Sequence, residues 1–303
     1  MIDLIGDIHG HADKLEALLI TLGYVRVKGS YAHPDKKVLF VGDYIDRGPK
    51  IRETLQIVRA MVESENAIAL MGNHEYNALC FHFQETEGGH LRKHVIKNIV
   101  QHYETLAQFQ NRQKEYEAYL DWFKTLPLYY ETDTFKAVHA CWDNHNIAYL
   151  RSTLKNDRLD DELIYQSVEK GTKLYEALDQ TLKGKEMGLP DGLFFHDKDG
   201  NQRNELRIKW WEDPRAMTYK SISVEPIDDL PEVKIDLSAL KSLDFYPQHD
   251  KKVFFGHYWL KGEPSLYRKN ICCLDYSVAK GGKLVAYQYK GEETLDSNHL
   301  IGV

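Results

Sequence analysis

Gly42-Asp43-Tyr44-Ile45-Asp46-Arg47-Gly48 is the stretch from which the rest of the chain can be read. It follows Val38-Leu39-Phe40-Val41, a short apolar run of the kind that forms a buried strand. Two carboxylates and a guanidinium thus arrive at the C-terminal end of a strand, on a turn framed by glycines. Open α/β sheets place their ligands at such strand ends. Two other stretches repeat the arrangement. Ile2-Asp3-Leu4-Ile5 runs into Gly6-Asp7-Ile8-His9-Gly10, and Ala67-Ile68-Ala69-Leu70-Met71 runs into Gly72-Asn73-His74-Glu75. Each is an apolar strand, a glycine, then oxygen or imidazole donors.

The segments between them read as helices. Leu15, Leu18, Leu19 and Leu22 share one face after Gly10. Ile51, Leu55, Val58, Met61 and Val62 do the same after Pro49, which suits a first helical turn. The first 75 residues therefore form a βαβαβ unit with a parallel sheet. From about 76 to 126 the pattern is mostly helical. One apolar face carries Leu91, Val95, Ile99, Tyr103 and Leu106, and another carries Tyr119, Trp122, Phe123 and Leu126. Phe135-Lys136-Ala137-Val138 and Val253-Phe254-Phe255 read as strands ending near His139 and His257. Between them a helix falls within 160–183, a turn at Asp197-Lys198-Asp199-Gly200-Asn201, and a strand or helix start at Arg207-Ile208-Lys209-Trp210-Trp211. The proline-rich stretch 212–250 keeps enough Ile, Val, Leu and Tyr to be an ordered surface excursion. Ile271-Cys272-Cys273-Leu274 and Leu284–Tyr289, separated by Gly281-Gly282, read as an antiparallel hairpin.

Bulk properties exclude several classes. The chain has 303 residues, 43% hydrophobic and 28% charged, which suits a soluble globular protein with a sizeable core. A net charge of -7 disfavours a nucleic acid polymer or an anionic membrane as partner. No apolar run approaches the ~20 residues needed to span a bilayer. The start of the chain has no signal-peptide pattern, and Cys80, Cys141, Cys272 and Cys273 read as small buried residues. The expected location is cytoplasmic.

The strand ends together supply Asp7, His9, Asp43, Asn73, His139 and His257, with Asp46, Arg47 and His74 beside them. Oxygen and imidazole donors without thiolates suit Mn, Fe or Zn. Any one of these residues is unremarkable in a turn, but three glycine-framed strand ends and two strand-terminal histidines together point to a dinuclear metal site. A carboxylate such as Asp43 can bridge two ions ~3.5–4 Å apart, which lower the pKa of a shared water and clamp a displacement at phosphorus.

Gly-Asp-Ile-His-Gly, Gly-Asp-Tyr-Ile-Asp-Arg-Gly and Gly-Asn-His-Glu resemble the three signature blocks of the phosphoprotein phosphatase branch of the calcineurin-like metallophosphoesterases. His139 and His257 match the branch's later histidines. The resemblance covers about 75 N-terminal residues and two short downstream segments. It implies an α/β fold in which a β-sandwich is flanked by helices, in αββα layers, with the metal site at the strand C-terminal ends. The 271–289 hairpin would then belong to the second sheet. It implies one domain over 1–303, with insertions at about 80–130 and 145–250. It places Asp7 and His9 on one metal ion, Asp43 between two, and Asn73, His139 and His257 on the other. Manganese is the expected metal, with iron or zinc as alternatives. His74 would be the general acid, oriented by Asp46, and Arg47 would fork onto a phosphate oxygen. A second phosphate-binding arginine is usual, and Arg207 and Arg203 are the candidates, with Arg215 behind them. Trp211-Glu212-Asp213-Pro214 resembles a Trp-x-Asp-Pro segment of the family. Tyr44 and Tyr76 are placed to line the pocket, and His11 to be exposed.

Departures from the family pattern bear on substrate. His139-Ala140-Cys141 replaces His-Gly-Gly. Gly256-His257-Tyr258-Trp259 replaces the Gly-His-x-His of nucleases and phosphodiesterases. The bacterial tetraphosphatases usually carry Gln where this chain has His9. Three readings follow. The first is a phosphatase of phosphomonoesters, serine/threonine protein phosphatase-like, acting by in-line attack of a hydroxide held between two metals. The second is a hydrolase of dinucleoside polyphosphates or other nucleotides, in which Trp210 and Trp211 either stack a base or belong to the core. The third is a catalytically silent binding module.

Overall fold

The computed structural model describes every residue except 87, 191, 197–201, 226 and 229. Ile2–Ile5, Lys37–Phe40 and Ala67–Ala69 run parallel, with Leu4 beside Leu39 and Phe40 beside Ala69. Helices Ala12–Thr21 (α1) and Ile51–Glu63 (α2) connect them. Leu15, Leu18 and Leu19 of α1 and Ile51, Leu55, Val58 and Met61 of α2 are buried, as their spacing predicts. The sheet continues through Lys283–Tyr289, antiparallel to Ile2–Ile5. Asp275–Tyr276 and Leu300–Gly302 pair antiparallel with that strand.

A second, four-stranded sheet has the spatial order Ile271–Cys273, Lys252–Phe255, Phe135–Val138, Tyr129–Glu131. Its first three strands are parallel and the last is antiparallel. The sheets face one another. Leu4 and Leu39 from the first meet Phe135, Ala137, Phe254 and Cys272 from the second in one buried cluster. The alternate residues face outward and are buried too, Ile5, Val38 and Phe40 in the first sheet and Val253, Phe255 and Cys273 in the second. Strands covered on both faces read as largely apolar runs, here interrupted by the buried Asp3 and Lys136. The β-sandwich flanked by helices is therefore as the resemblance implies.

The hairpin expected from Ile271-Cys272-Cys273-Leu274 and Leu284–Tyr289 does not form. Ile271–Cys273 lies in the second sheet, parallel to Lys252–Phe255, and it is Asp275–Tyr276 that pairs with Leu284 and Lys283 in the first. The chain changes sheets at Leu274, whose N–H donates to Phe255 O at 2.7 Å. Everything from Ile271 to Val278 is buried, so hydropathy gives no mark of the crossing. The crossing has a steric condition at Gly6. A Cβ there would lie 2.1 Å from the Leu274 carbonyl oxygen.

Three helices follow the third motif: Asn73–His82 (α3), Ile96–Gln108 (α4) and Gln113–Phe123 (α5). α5 buries Tyr119, Trp122 and Phe123 as expected. Of the apolar face expected around α4, Leu91 and Leu106 pack against the core, but the rest does not. Val95, Ile99 and Tyr103 are exposed, while His102 and Thr105 turn inward. The reason is polar and appears below. Further on, Asp161–Ser167 and Lys173–Lys183 are helices. Glu205–Arg207 pairs antiparallel with Glu186–Gly188, so Arg207 ends a strand. The 212–250 excursion is ordered over its described residues. Tyr219, Ile222, Leu230 and Ile235 share a small core with Met187, Leu206 and Ile208. The turn expected at Asp197–Asn201 lies outside the described residues.

Gly6 and Gly188 make a matched test of the crossing. Gly6→Ala is expected to lower stability by about 1–3 kcal/mol through overpacking. Gly188→Ala, with nothing within 4 Å of its Cβ, is expected to change it by less than about 0.5 kcal/mol. Urea midpoints of the two variants measure the difference, and equal midpoints would contradict the tight crossing.

Candidate metal centre

The two sheets bring their strand ends to one place. Asp7, His9, Asp43, Asn73, His74, His139 and His257 converge there, all buried. Asp43 is central. Its Oδ2 lies 3.4 Å from His139 Nε2, 3.6 Å from His9 Nε2 and 3.9 Å from His74 Nε2. Its Oδ1 accepts the His74 backbone N–H at 3.0 Å. Two groups of potential ligands share it, His9–Asp43–His74 and Asp43–His139–His257, with ligand atoms within 4.8 Å of one another in each. The resemblance puts Asp7 where the first group has His74. Asp7 joins through His257, whose N–H donates to its Oδ2 at 2.9 Å. Gly256 allows this approach, since a Cβ there would lie 1.8 Å from Asp7 Oδ1. Asn73 Oδ1 sits 3.0 Å from His139 Nε2 and 2.7 Å from His257 Nδ1.

These residues fit a pair of divalent cations. His9 Nδ1 is 2.9 Å from Ile45 O, and His139 Nδ1 is 2.9 Å from Val41 O. Carbonyls only accept, so each neutral ring carries its hydrogen on Nδ1 and turns the Nε2 lone pair toward Asp43. Lone pairs aimed at a carboxylate oxygen need a cation among them. Asp7 Oδ1, His9 Nε2 and His257 Nε2 are buried without hydrogen-bond partners, which a metal ligand in this fold would be. The electrostatics agree. Burial raises the Asp7 carboxyl, and the charges of Asp275 and Asp43 raise it further. Burial works against the Asp43 carboxylate, yet the charges of His139 and His74 hold it well below the usual range, and Asp43 in turn raises His139 against the effect of burial. Without metal His139 thus carries a proton toward Asp43, which a cation bound there would displace. Burial and His74 push His9 down to about 3, and burial and the charge of Arg207 push His257 down as well. Both rings are thus neutral at physiological pH, the form that binds metal.

The backbone is bent to make this arrangement. His9 (φ 44°), Asp43 (56°), Asp46 (66°), Arg47 (66°), His257 (75°) and Trp259 (55°) all sit in the left-handed region. Such conformations cost roughly 1–3 kcal/mol each and persist only when the surroundings fix them. Glu75 does much of the fixing. Its carboxylate accepts N–H groups from Gly72 (3.0 Å), Asp43 (2.9 Å) and Tyr44 (2.8 Å), tying the second motif to the third. Burial and the Asp43 charge push its carboxyl up to about 7.

Beside the centre, His74 Nδ1 donates to Asp46 Oδ2 at 2.5 Å. Asp46 Oδ1 accepts from His102 Nδ1 at 2.7 Å and from the Thr105 hydroxyl at 2.6 Å. Thr105 Oγ1 in turn accepts the Asp46 N–H at 3.0 Å, and His102 Nε2 is 2.8 Å from the Tyr116 hydroxyl. This explains the inward face of α4, since it serves a buried carboxylate. Burial alone would lower the His74 imidazole and raise the Asp46 carboxyl. Instead Asp43 and Asp46 raise His74, and His102 and His74 hold Asp46 down. Sequence reasoning missed His102, Thr105 and Tyr116. The only signal was a His and a Thr three apart on one helical face.

Arg47 reaches over the indole of Trp259 at 4.4 Å, and Trp259 stacks on His9 at 5.3 Å. Asp275, also missed, pins this loop by accepting the Trp259 N–H at 2.6 Å. Arg207 lies 3.7 Å from both Glu186 and Glu225, and its charge bears on His257. Arg203 is on the exposed strand Gln202–Arg203, and Arg215 pairs with Asp213 at 3.1 Å. Several expectations are corrected. Trp210 and Trp211 are core, packed edge to face on each other and against Phe255, so neither offers a face to a base. Tyr44 is wholly buried with its hydroxyl on Leu70 O, so it does not face a ligand, and the hydroxyl of the nearly buried Tyr76 is taken by Ser167. His11 is half-buried, with Nδ1 2.8 Å from His9 O. The void under Asp46, about 10 Å³, has room for little more than one water.

Comparison with known proteins places this geometry. The profile of the calcineurin-like phosphoesterase family matches residues 1–258. The symmetrical bis(5'-nucleosyl)-tetraphosphatase of Neisseria meningitidis serogroup A is 26% identical over 311 residues, covering 99% of this chain and 96% of that one. The asymmetrical bis(5'-nucleosyl)-tetraphosphatase PrpE of Oceanobacillus iheyensis is 31% identical over 140 residues, 46% of this chain and 54% of its own. PrpE of Halalkalibacterium halodurans is 48% identical over 73 residues, 30% of its length. The chain thus spans about half the length, or less, of these PrpE relatives. A cold-active protein tyrosine phosphatase of known structure shares the fold, with a TM-score of 0.50 at 18% identity over 98% of this chain and 79% of that one. Among the described residues no helix is long and apolar enough to cross a membrane. With its family profile matched from the first strand through His257, the chain belongs to the calcineurin-like phosphoesterases.

Proposed function

We propose that this protein is a metal-dependent hydrolase of dinucleoside polyphosphates of the diadenosine tetraphosphate type. The observation that carries the reading is the end-to-end similarity to the N. meningitidis tetraphosphatase, 99% of this chain against 96% of that one. The phosphomonoester reading rests on the likeness of the motifs to protein phosphatases, and the named relatives favour the nucleotide reading over it. Asp7, His9 and Asp43 would hold one divalent ion, and Asp43, Asn73, His139 and His257 a second. Bound there, the ions would supply positive charge to the phosphoryl oxygens and lower the pKa of a nearby water.

The chain's own residues do the rest. Arg47 presents a guanidinium fixed over Trp259, with a buried Nε that has no protein partner. It forks onto a phosphoryl oxygen. Arg207, on the His257 side, neutralises a second phosphate of the chain, while Arg203 and Arg215 stand exposed on the surface. His74 keeps its Nδ1 hydrogen on Asp46 and carries a proton at Nε2 toward the centre. That proton goes to the leaving oxygen. Asp46 cannot accept it in passing, because it is already engaged by His102 and Thr105.

Two outcomes test this. With manganese present, kcat/KM for diadenosine tetraphosphate is expected to exceed that for phosphothreonine peptides by about 100-fold or more, a ratio binding to one substrate's extra groups can supply. Chromatography of the nucleotide products follows the reaction, and a preference for the peptides would return the phosphomonoester reading. For His74→Asn, hydrolysis of phenyl phosphate is expected to fall about 10²–10⁴-fold, with a much smaller loss for p-nitrophenyl phosphate, whose leaving group needs no proton. Equal losses would remove His74 as the acid.

A further inference from the structure

A second cavity, of about 400 Å³, opens beside the metal centre. That volume is in the range of small-molecule sites. Trp259 belongs to both places. Its indole lies against His9 and Arg47, and it also lines the cavity. Glu225 makes a second link. It lines the cavity and sits 3.7 Å from Arg207, whose charge bears on His257. A group attached to a phosphate at Arg47 or Arg207 therefore adjoins this space.

The lining suits one class of ligand. Trp259, Leu260 and Tyr267, each half-buried, give apolar walls, and Tyr276 is almost wholly buried behind them. Tyr267 is held by Trp211, ring centroids 4.5 Å apart. The Tyr276 hydroxyl is already engaged, accepting Ser265 N–H at 2.7 Å and donating to Ser265 O at 3.1 Å. Glu225, Lys261 and Ser265 add hydrogen-bonding groups, the last two exposed. A planar heterocycle joined to a hydroxylated ring uses both kinds of surface. An alkyl chain would leave the polar groups without partners, and a bare polyphosphate would leave the aromatic walls unused. The buried Trp210 and Trp211 cannot serve instead.

We propose that this cavity is the nucleoside subsite, taking one nucleoside of the dinucleoside polyphosphate while the phosphate chain lies across the metal centre. The inference rests on the substrate class assigned above. Its test compares diadenosine tetraphosphate with inorganic tripolyphosphate, which has the same phosphoanhydride bonds and no nucleoside. Ser265→Trp and Lys261→Trp each put a bulky ring at an exposed lining position, where folding is least at risk, and a thermal midpoint confirms that each is folded. In both variants the ratio of kcat/KM for diadenosine tetraphosphate to that for tripolyphosphate is expected to fall at least about tenfold, mostly through KM. If the wild type cleaves diadenosine tetraphosphate and the ratio stays put in both variants, the nucleoside binds elsewhere and the subsite is overturned. A wild type that cleaves tripolyphosphate and leaves diadenosine tetraphosphate intact overturns the substrate class, and the subsite falls with it.

Discussion

One carboxylate oxygen, Asp43 Oδ2, faces three imidazole nitrogens at 3.4–3.9 Å in a place closed to water. Buried charges and buried lone pairs are costly unless each is neutralised. Here Asp7, Asp43, Glu75 and Asp275 lie close enough for their charges to reinforce one another at Asp7. The protein's own cations are few and sit at the edge, Arg47 on one side and Arg207 on the other. Divalent ions, which the family implies, would resolve the imbalance, and the orientations of His9 and His139 are set by the carbonyls of Ile45 and Val41.

The fold exists to hold that arrangement against its own strain. Two sheets end at the same point, so residues as distant as Asp7 and His257 meet. The loops that carry them are left-handed at six site positions, from His9 to Trp259. Glu75 ties two loops together through backbone N–H groups, and Asp275 ties down a third. Behind the first ring of residues, α4 contributes His102 and Thr105 to Asp46, which in turn orients His74. Rigidity at His74 is thus supplied from a helix far along the chain from the strand-end residues.

Much of this was legible in the sequence because the chemistry is covalently next to the strands. Asp7, His9, Asp43, Asn73, His139 and His257 follow apolar runs directly, so locating the strand ends located the residues. What was not legible arrives from elsewhere in the chain. His102 lies 56 residues from Asp46. Its helix, with Val95 just before it, also offers Ile99 and Tyr103, and hydropathy chose that face as the buried one. Burial of a hydrogen-bonded carboxylate overrode it. Trp259 was visible only as a departure from pattern, and its place over Arg47 needed the loop to be seen. The crossing at Leu274 was hidden because both sheets bury the same kind of residue.

The central claim is that Asp43 is shared by two cations. Its most direct measurement is calorimetric titration of metal-depleted protein with manganese, wild type against Asp43→Asn. About two ions per chain are expected in the wild type and, with the shared ligand neutralised, less than about one in the variant. Two undiminished sites in Asp43→Asn, or none in the wild type, would contradict it.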